Sequence, residues 1–335
     1  MKMPRVLYLL IIFLMLIEPL GCSQNPPAPV ESQAIMTTSI KPQKTYKDLI
    51  IGFAQLGAES EWRVANTKSI KETADALGVE LRFSDAQQNQ EKQIEAVRKL
   101  IIQKVDVIGI SPIVETGWEE VFREAKAAGI PIIISDRRAD VPEDLYATYL
   151  GSDFLEEGRN AARVLAKLVN GDAKIVELAG TIGSAPANDR FKGFREVLKD
   201  YQGMKIIDSE SGDFTRARGK EVMDTFLKKY GKTITAVFAH NDDMALGAIQ
   251  AIEDYGLKPG VDIKIVSIDA SHGAFEAMIA GKLNATIECN PLLGPQFFDL
   301  ALKVVNGEPV PKWVSSPEGI FYPGNAAEIL PTRKY

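Results

Sequence analysis

The sequence predicts an α/β protein made of two doubly wound parallel-sheet lobes, one series of strands and helices following the other. Three observations carry that expectation. Short apolar runs recur without polar alternation, the mark of strands covered on both faces. Each is followed by a longer segment whose apolar residues return at helical spacing. The series halts and begins afresh near residues 145–153, and 335 residues suit two domains of ~150 residues each.

The first strand is Leu49-Ile50-Ile51-Gly52-Phe53-Ala54. In the segment after it, Glu59 to Leu77, Trp62, Ala65, Ile70, Ala74 and Leu77 share a helical face, and Gly78 supplies the turn that ends the helix. The unit repeats as strand 80–84 with helix 88–103, strand 105–110 with helix 119–128, and strand 130–135. After Gly151 come helix 156–170, strand 173–178, helix 187–200, strand 204–209 and helix 215–230. Strand 236–239, helix 243–255, strand 263–268 and helix 275–280 complete the pattern. Repeats of this length form open parallel sheets with helices on both faces.

The start of the chain reads as an address. Lys2 and Arg5 precede an unbroken apolar run from Val6 to Ile17, shorter than the ~20 residues of a spanning helix. Residues 1–21 are therefore expected to be a signal peptide. Pro19-Leu20-Gly21-Cys22 resembles a bacterial lipoprotein box, which makes Cys22 the expected lipidation site. Residues 22–47, rich in Pro, Ser, Gln and Thr, read as a tether that holds the body off a membrane. With a lipid on Cys22, Cys289 has no partner for an intrachain disulfide.

Composition narrows the function. A net charge of −6 argues against a nucleic-acid partner, which asks for a basic face. Two histidines, His240 and His272, leave little for a metal centre or a histidine base. No G-x-G-x-x-G follows the first strand, and there is no nucleophile elbow, H-E-x-x-H or calcium loop. No catalytic residue, cofactor or metal is expected.

In doubly wound sheets ligands sit beyond the carboxyl ends of the strands. Those positions hold aromatic rings (Trp62, Phe214), planar cations (Arg63, Arg137, Arg190) and oxygen or amide groups (Asp136, Asn241, Asp269). A small sugar asks for that set. Its C–H face lies on an aromatic ring, and its hydroxyls each donate and accept, matching Asp, Asn and the Arg fork. Each residue also has a plainer reading: Trp62 as core, Asp136-Arg137 as a surface ion pair, Asn241-Asp242-Asp243 as a helix cap. The joint pattern over both halves favours the sugar.

At these residues the chain resembles the periplasmic sugar-binding proteins of ABC importers, the ribose- and galactose-binding class, and within it the galactofuranose-binding members of enteric bacteria. The segments are GFAQLGAESEWR (52–63), DAQQNQEKQIEAVR (85–98), SGDFTRARGKEVM (211–223), AHNDDMALGAIQAI (239–252) and the Ile268-Asp269 turn. The likeness runs from about Asp48 to about Gly307. It implies a type I periplasmic binding protein fold with a three-segment hinge: an N-lobe of 48–151 plus 291–317 and a C-lobe of 152–290 plus 318–335. It puts ligand contacts on Trp62, Arg63, Asp136, Arg137, Arg190, Phe214, Asn241 and Asp269. It adds Cys289 at the second crossing, where many relatives place a glutamine. Ala270 stands where glycine is common, and Glu61 where the galactofuranose-binding members have glycine.

The resemblance implies a monomeric, non-enzymatic, extracytoplasmic receptor, held to a membrane by its lipid. It would capture a galactofuranose-like sugar or a related pentose or hexose and deliver it to an ABC permease. The alternatives are a receptor feeding a chemoreceptor or sensor kinase, a repressor's effector domain, and a carbohydrate-modifying enzyme using Asp242 and Asp243.

Overall fold

The structure, a computed structural model, describes residues 42–335. The expected signal peptide, the Cys22 lipidation site and nearly all of the tether lie outside the described residues. The chain separates by its own contacts into Met1–Pro42 and Gln43–Tyr335, and the second unit is the folded body.

The body opens with β1 (Ile50–Gln55), α1 (Glu61–Leu77), β2 (Glu80–Asp85), α2 (Gln90–Ile102), β3 (Val107–Ile110), α3 (Glu119–Ala127), β4 (Ile132–Ser135) and β5 (Thr148–Leu150). It continues with α4 (Phe154–Leu168), β6 (Asp172–Ala179), α5 (Ala185–Leu198), β7 (Gly203–Ser211), α6 (Arg216–Tyr230), β8 (Ala236–Ala239) and α7 (Asp242–Asp254). Then come β9 (Lys264–Asp269), α8 (His272–Ile279), β10 (Ala285–Glu288), α9 (Gly294–Val305), β11 (Trp313–Val314), β12 (Ile320–Phe321) and α10 (Pro323–Ile329).

Two six-stranded sheets result, in the orders β11-β5-β4-β3-β1-β2 and β12-β10-β9-β8-β6-β7. Every pairing is parallel except that of β12 with β10. β3, β4 and β8 are buried along their whole length, as their unbroken apolar runs require.

Each sheet has an apolar cluster on both faces. Around the first, Val97, Leu100, Trp118 and Phe122 pack on one side and Ile70, Ala74, Phe297 and Phe298 on the other. Around the second, Phe154, Leu165 and Phe194 oppose Met223, Phe226, Ile249 and Phe275. Trp62, on α1 of the first lobe, packs into the apolar cluster of the second lobe.

The chain passes between the sheets three times: between Leu150 and Phe154, between Glu288 and Gly294, and between Val314 and Ile320. β5, β10, α9, β11, β12 and α10 have no counterpart in the sequence reading. β5 has three residues, and β11 and β12 have two each, too few for a period. They exist because a sheet edge is already there to pair with.

Candidate functional site

The nine residues that the sequence singled out, Trp62, Arg63, Asp136, Arg137, Arg190, Phe214, Asn241, Asp269 and Cys289, line one cavity between the lobes. Glu59, Ser60 and Pro186 complete its wall. The space it encloses is small, about 30 Å³. The nine are 2–5% exposed, so the two halves meet over an enclosed space.

Strand and helix termini put these side chains there. Ser60 caps α1 by accepting from Arg63 N at 3.1 Å, which starts the helix with Trp62 and Arg63 in its first turn. Asn241 caps α7 by accepting from Met244 N at 3.0 Å and donates through Nδ2 to Phe214 O at 3.0 Å. The cap is therefore also a brace for Phe214. Asp136, Phe214 and Asp269 have φ of 62°, 59° and 130°. Such backbone costs about 1–3 kcal/mol per non-glycine residue and gathers at functional sites. Ala270 shares the strain at φ 60°. Gly180 is what admits the Phe214 ring, because a Cβ there would lie 1.9 Å from Phe214 Cζ.

On the first lobe, Arg63 Nη2 donates to Asp136 Oδ2 at 2.5 Å and Nη1 to Ser111 Oγ at 3.2 Å. Arg137 donates to Ile113 O at 3.0 Å and to Glu59 Oε1 at 3.3 Å. On the second lobe, Arg190 donates to Glu157 Oε2 at 2.8 Å and to His240 O at 2.7 Å, with Asp269 Oδ1 3.9 Å away. Burial, with Arg63 and Arg190 near, pulls Arg137 down to about 10 against the opposing pull of Glu59 and Asp136. Burial pushes the Asp269 carboxyl well up, with Arg190 resisting. The wall carries three guanidinium groups and three carboxyls, Glu59, Asp136 and Asp269. That set of donors and acceptors suits the hydroxyls of a polyol.

The aromatic residues bridge the gap. Trp62 Nε1 donates to Cys289 O at 2.6 Å, and the Arg63 guanidinium lies 4.6 Å from its ring. Arg137, from the first lobe, lies 5.0 Å from the Phe214 ring of the second.

Two latches flank the cavity. On one side Glu61 N donates to Asp243 Oδ2 at 2.7 Å, and Arg216 Nη2 reaches Glu61 Oε1 at 2.8 Å and Asp243 Oδ1 at 3.0 Å. On the other, Arg138 pairs with Asp189, Glu115 N donates to Gly183 O at 2.9 Å, and Asn188 donates to Glu115 at 2.6 Å. Asp243 thus joins α1 of the first lobe to Arg216 of the second. Asp242 accepts from Ser267 Oγ at 2.5 Å, Ser271 N at 2.7 Å and Thr286 Oγ1 at 2.9 Å, which ties α7 to β9 and β10. Neither lines the cavity, so they are not a facing acid/base pair.

The pattern defining the family described as "Periplasmic binding protein domain" matches residues 51–309. This chain belongs to that family. Periplasmic binding proteins similar to it include the galactofuranose-binding protein YtfQ of Escherichia coli, 46% identical over 85% of this chain and 92% of that one. A Mycobacterium smegmatis structure in complex with β-D-fucofuranose is 52% identical, with a TM-score of 0.84 over 86% of this chain and 95% of that one. The binding component of the arabinose ABC transporter of Shewanella sp. ANA-3, bound to α- and β-L-arabinofuranose, is 46% identical, with a TM-score of 0.83 over 85% and 95%.

In this periplasmic binding protein Glu59, Ser60 and Pro186 are wall residues beyond those expected from sequence. Glu59 had a signal, its i,i+4 spacing from Arg63, now a 3.3 Å ion pair. Glu61, which stands where the resemblance places glycine, sits outside the cavity wall and pairs with Arg216.

All three crossings meet in a buried polar knot. Ser152 Oγ pairs with Glu318 and lies 3.4 Å from Cys289 Sγ, and Asn290 N donates to Glu318 Oε1 at 3.3 Å. Burial, then Glu157 nearby, pushes the Glu318 carboxyl up to about 8. In the unfolded chain this group titrates near ~4.3, so between the two values the folded state keeps a proton that the unfolded chain has released. Stability is then highest below the unfolded value and falls as pH climbs toward about 8. Urea midpoints should drop more from about pH 5 to about pH 9 in the wild type than in Glu318→Gln, which has no proton to lose there. Parallel profiles would show that Glu318 carries no such linkage.

Proposed function

We propose that this protein captures a neutral monosaccharide in its furanose form and delivers it to an ABC permease. The observation that carries the reading is the enclosed cavity, with arginines and carboxyls around it and an aromatic ring from each lobe. Galactofuranose, fucofuranose and arabinofuranose, named for the three relatives, share their ring-hydroxyl configuration and differ in the exocyclic arm. Trp62, Arg63, Asp136, Arg137, Arg190, Phe214, Asn241, Asp269 and Cys289 are the proposed ligand contacts.

Closure is the proposed mechanism. Residues 48–151 with 291–317 would move as one lobe and 152–290 with 318–335 as the other. Each offers half of the contacts, so only a closed form grips the sugar fully, and that differential affinity shifts open to closed. The permease would read the closed state from both lobes. The proposal also includes the leader of residues 1–21, the lipid on Cys22 and the tether. It is supported by the Leu20-Gly21-Cys22 sequence, and mass spectrometry of the N-terminal peptide tests it.

Calorimetry and small-angle scattering against L-arabinose, D-galactose, D-fucose and D-ribose test the binding. 5-Deoxy-L-arabinose is included because it lacks the oxygen that closes a pyranose ring. The expected result is binding by arabinose and its 5-deoxy form with a contraction in radius of gyration. A sugar at 100 times its Kd should add about 2.7 kcal/mol of stability. No binding and no contraction with any of the five would overturn the proposal.

A further inference from the structure

We infer that Arg333 is a positioning residue for the sugar site: it braces the strained Asp269-Ala270 turn from behind and so keeps the Asp269 carboxyl in the cavity wall. This rests on the sugar-receptor reading above, in which Asp269 is a ligand contact.

Asp269 ends β9, and it and Ala270 are consecutive non-glycine residues with φ of 130° and 60°. L side chains seldom adopt either conformation, so the turn holds only where its surroundings over-determine it. Three hydrogen bonds do so. Ala270 N donates to Thr286 Oγ1 at 3.0 Å, Cys289 N to Asp269 O at 3.4 Å, and Arg333 Nη2 to Ala270 O at 2.9 Å. The first two involve β10, the strand beside β9, and the residue just past it. The third comes from beyond α10, 63 positions away in the chain.

Arg333 is itself held for that task. Its Nη1 donates to Glu288 Oε1 at 2.7 Å, an atom that also accepts from Tyr335 Oη at 2.9 Å, while Glu288 Oε2 accepts from Gly319 N at 3.0 Å. The guanidinium lies 4.3 Å from the Tyr335 ring, 5.2 Å from Phe321 and 5.3 Å from Phe275. Its Nε is buried with no hydrogen-bond partner, so these contacts alone orient the group. A planar fork can serve a carboxylate and a carbonyl at once in fixed directions, which the point charge of an ammonium does not. Arg333 thus joins the Asp269 turn to the strand end that carries Cys289, and both of those residues line the cavity.

Without the brace Ala270 can relax to ordinary backbone and carry Asp269 out of place. Affinity then falls in proportion to the fraction of molecules still competent to bind. Glycine visits positive φ without steric cost, so a glycine at position 270 should make the brace largely dispensable.

The test is calorimetry with the five sugars named above, read on whichever the wild type binds, for the wild type, Arg333→Met, Ala270→Gly and the double variant. Circular dichroism checks that each is folded. Methionine keeps much of the stem among the rings. Arg333→Met should bind at least about fivefold more weakly, and in the Ala270→Gly background the same substitution should cost less than about twofold. Equal losses in the two backgrounds would mean that Arg333 serves only the fold or the charge of Glu288, and unchanged affinity would mean that the turn holds without it. Either result overturns the inference and leaves the receptor reading standing. Should Arg333→Met not fold, Arg333→Lys, which keeps the charge beside Glu288 but not the fork, is read in the same two backgrounds against the same limits. A wild type that binds none of the five overturns both.

Discussion

Asp136→Asn is expected to weaken sugar binding at least about tenfold, which is ~1.4 kcal/mol, while the protein stays folded. Asp136 Oδ2 is engaged by Arg63 at 2.5 Å and by Ser111 at 3.2 Å. Its main chain is held at φ 62°, with Tyr149 donating to its carbonyl at 2.7 Å. The carboxylate is therefore oriented before any ligand arrives. A hydrogen bond to a charged acceptor contributes about 1.5–3 kcal/mol against about 0.5–1.5 for a neutral one. Asparagine keeps the shape but loses that difference and sets an N–H₂ where an acceptor stood. Calorimetry within twofold of the wild type would mean that this wall does not touch the sugar.

Arg190→Met is expected to cost about 3–5 kcal/mol of folding stability and to abolish sugar binding. The methionine keeps much of the stem volume, so the loss is electrostatic in origin. Arg190 is 3% exposed and is the buried counterion of Glu157, with Asp269 near. Burial works against its charge, yet Glu157 foremost, with Asp269, holds it above its ordinary range. Without it, two carboxyls remain in a poorly solvated place with no cation. They can escape by taking up protons, so the penalty should shrink as pH falls. Urea unfolding at about pH 5 and about pH 8 checks both parts. A loss below about 1 kcal/mol, or one that does not depend on pH, would contradict the account.

The structure also separates roles that look alike in sequence. Asn241, Asp242 and Asp243 are consecutive acids and amide at one helix start. The first lines the cavity and braces Phe214, the second ties the helix to two strands, and the third pairs with Glu61 and Arg216. Consecutive residues at a helix N-terminus point about 100° apart, so adjacency in sequence says little about shared function.

What the chain alone determined was local. Unbroken runs such as Val107–Ile110 and Ile132–Ser135 read as covered strands, and helical spacing from Trp62 to Leu77 reads as a helix with one buried face. The strand-end residues were therefore legible as candidates, because a parallel sheet presents its carboxyl ends together. Tertiary structure alone decided which of them meet and what each is tied to. The two-residue strands β11 and β12 form because an edge awaits them, and Ser152, Cys289 and Glu318 converge because three crossings share one place. Glu59 and Arg137 are 78 positions apart, and their unpartnered atoms become visible only once burial removes water from both. Periodicity is a property of neighbours along a chain, whereas desolvation and pairing are properties of neighbours in space.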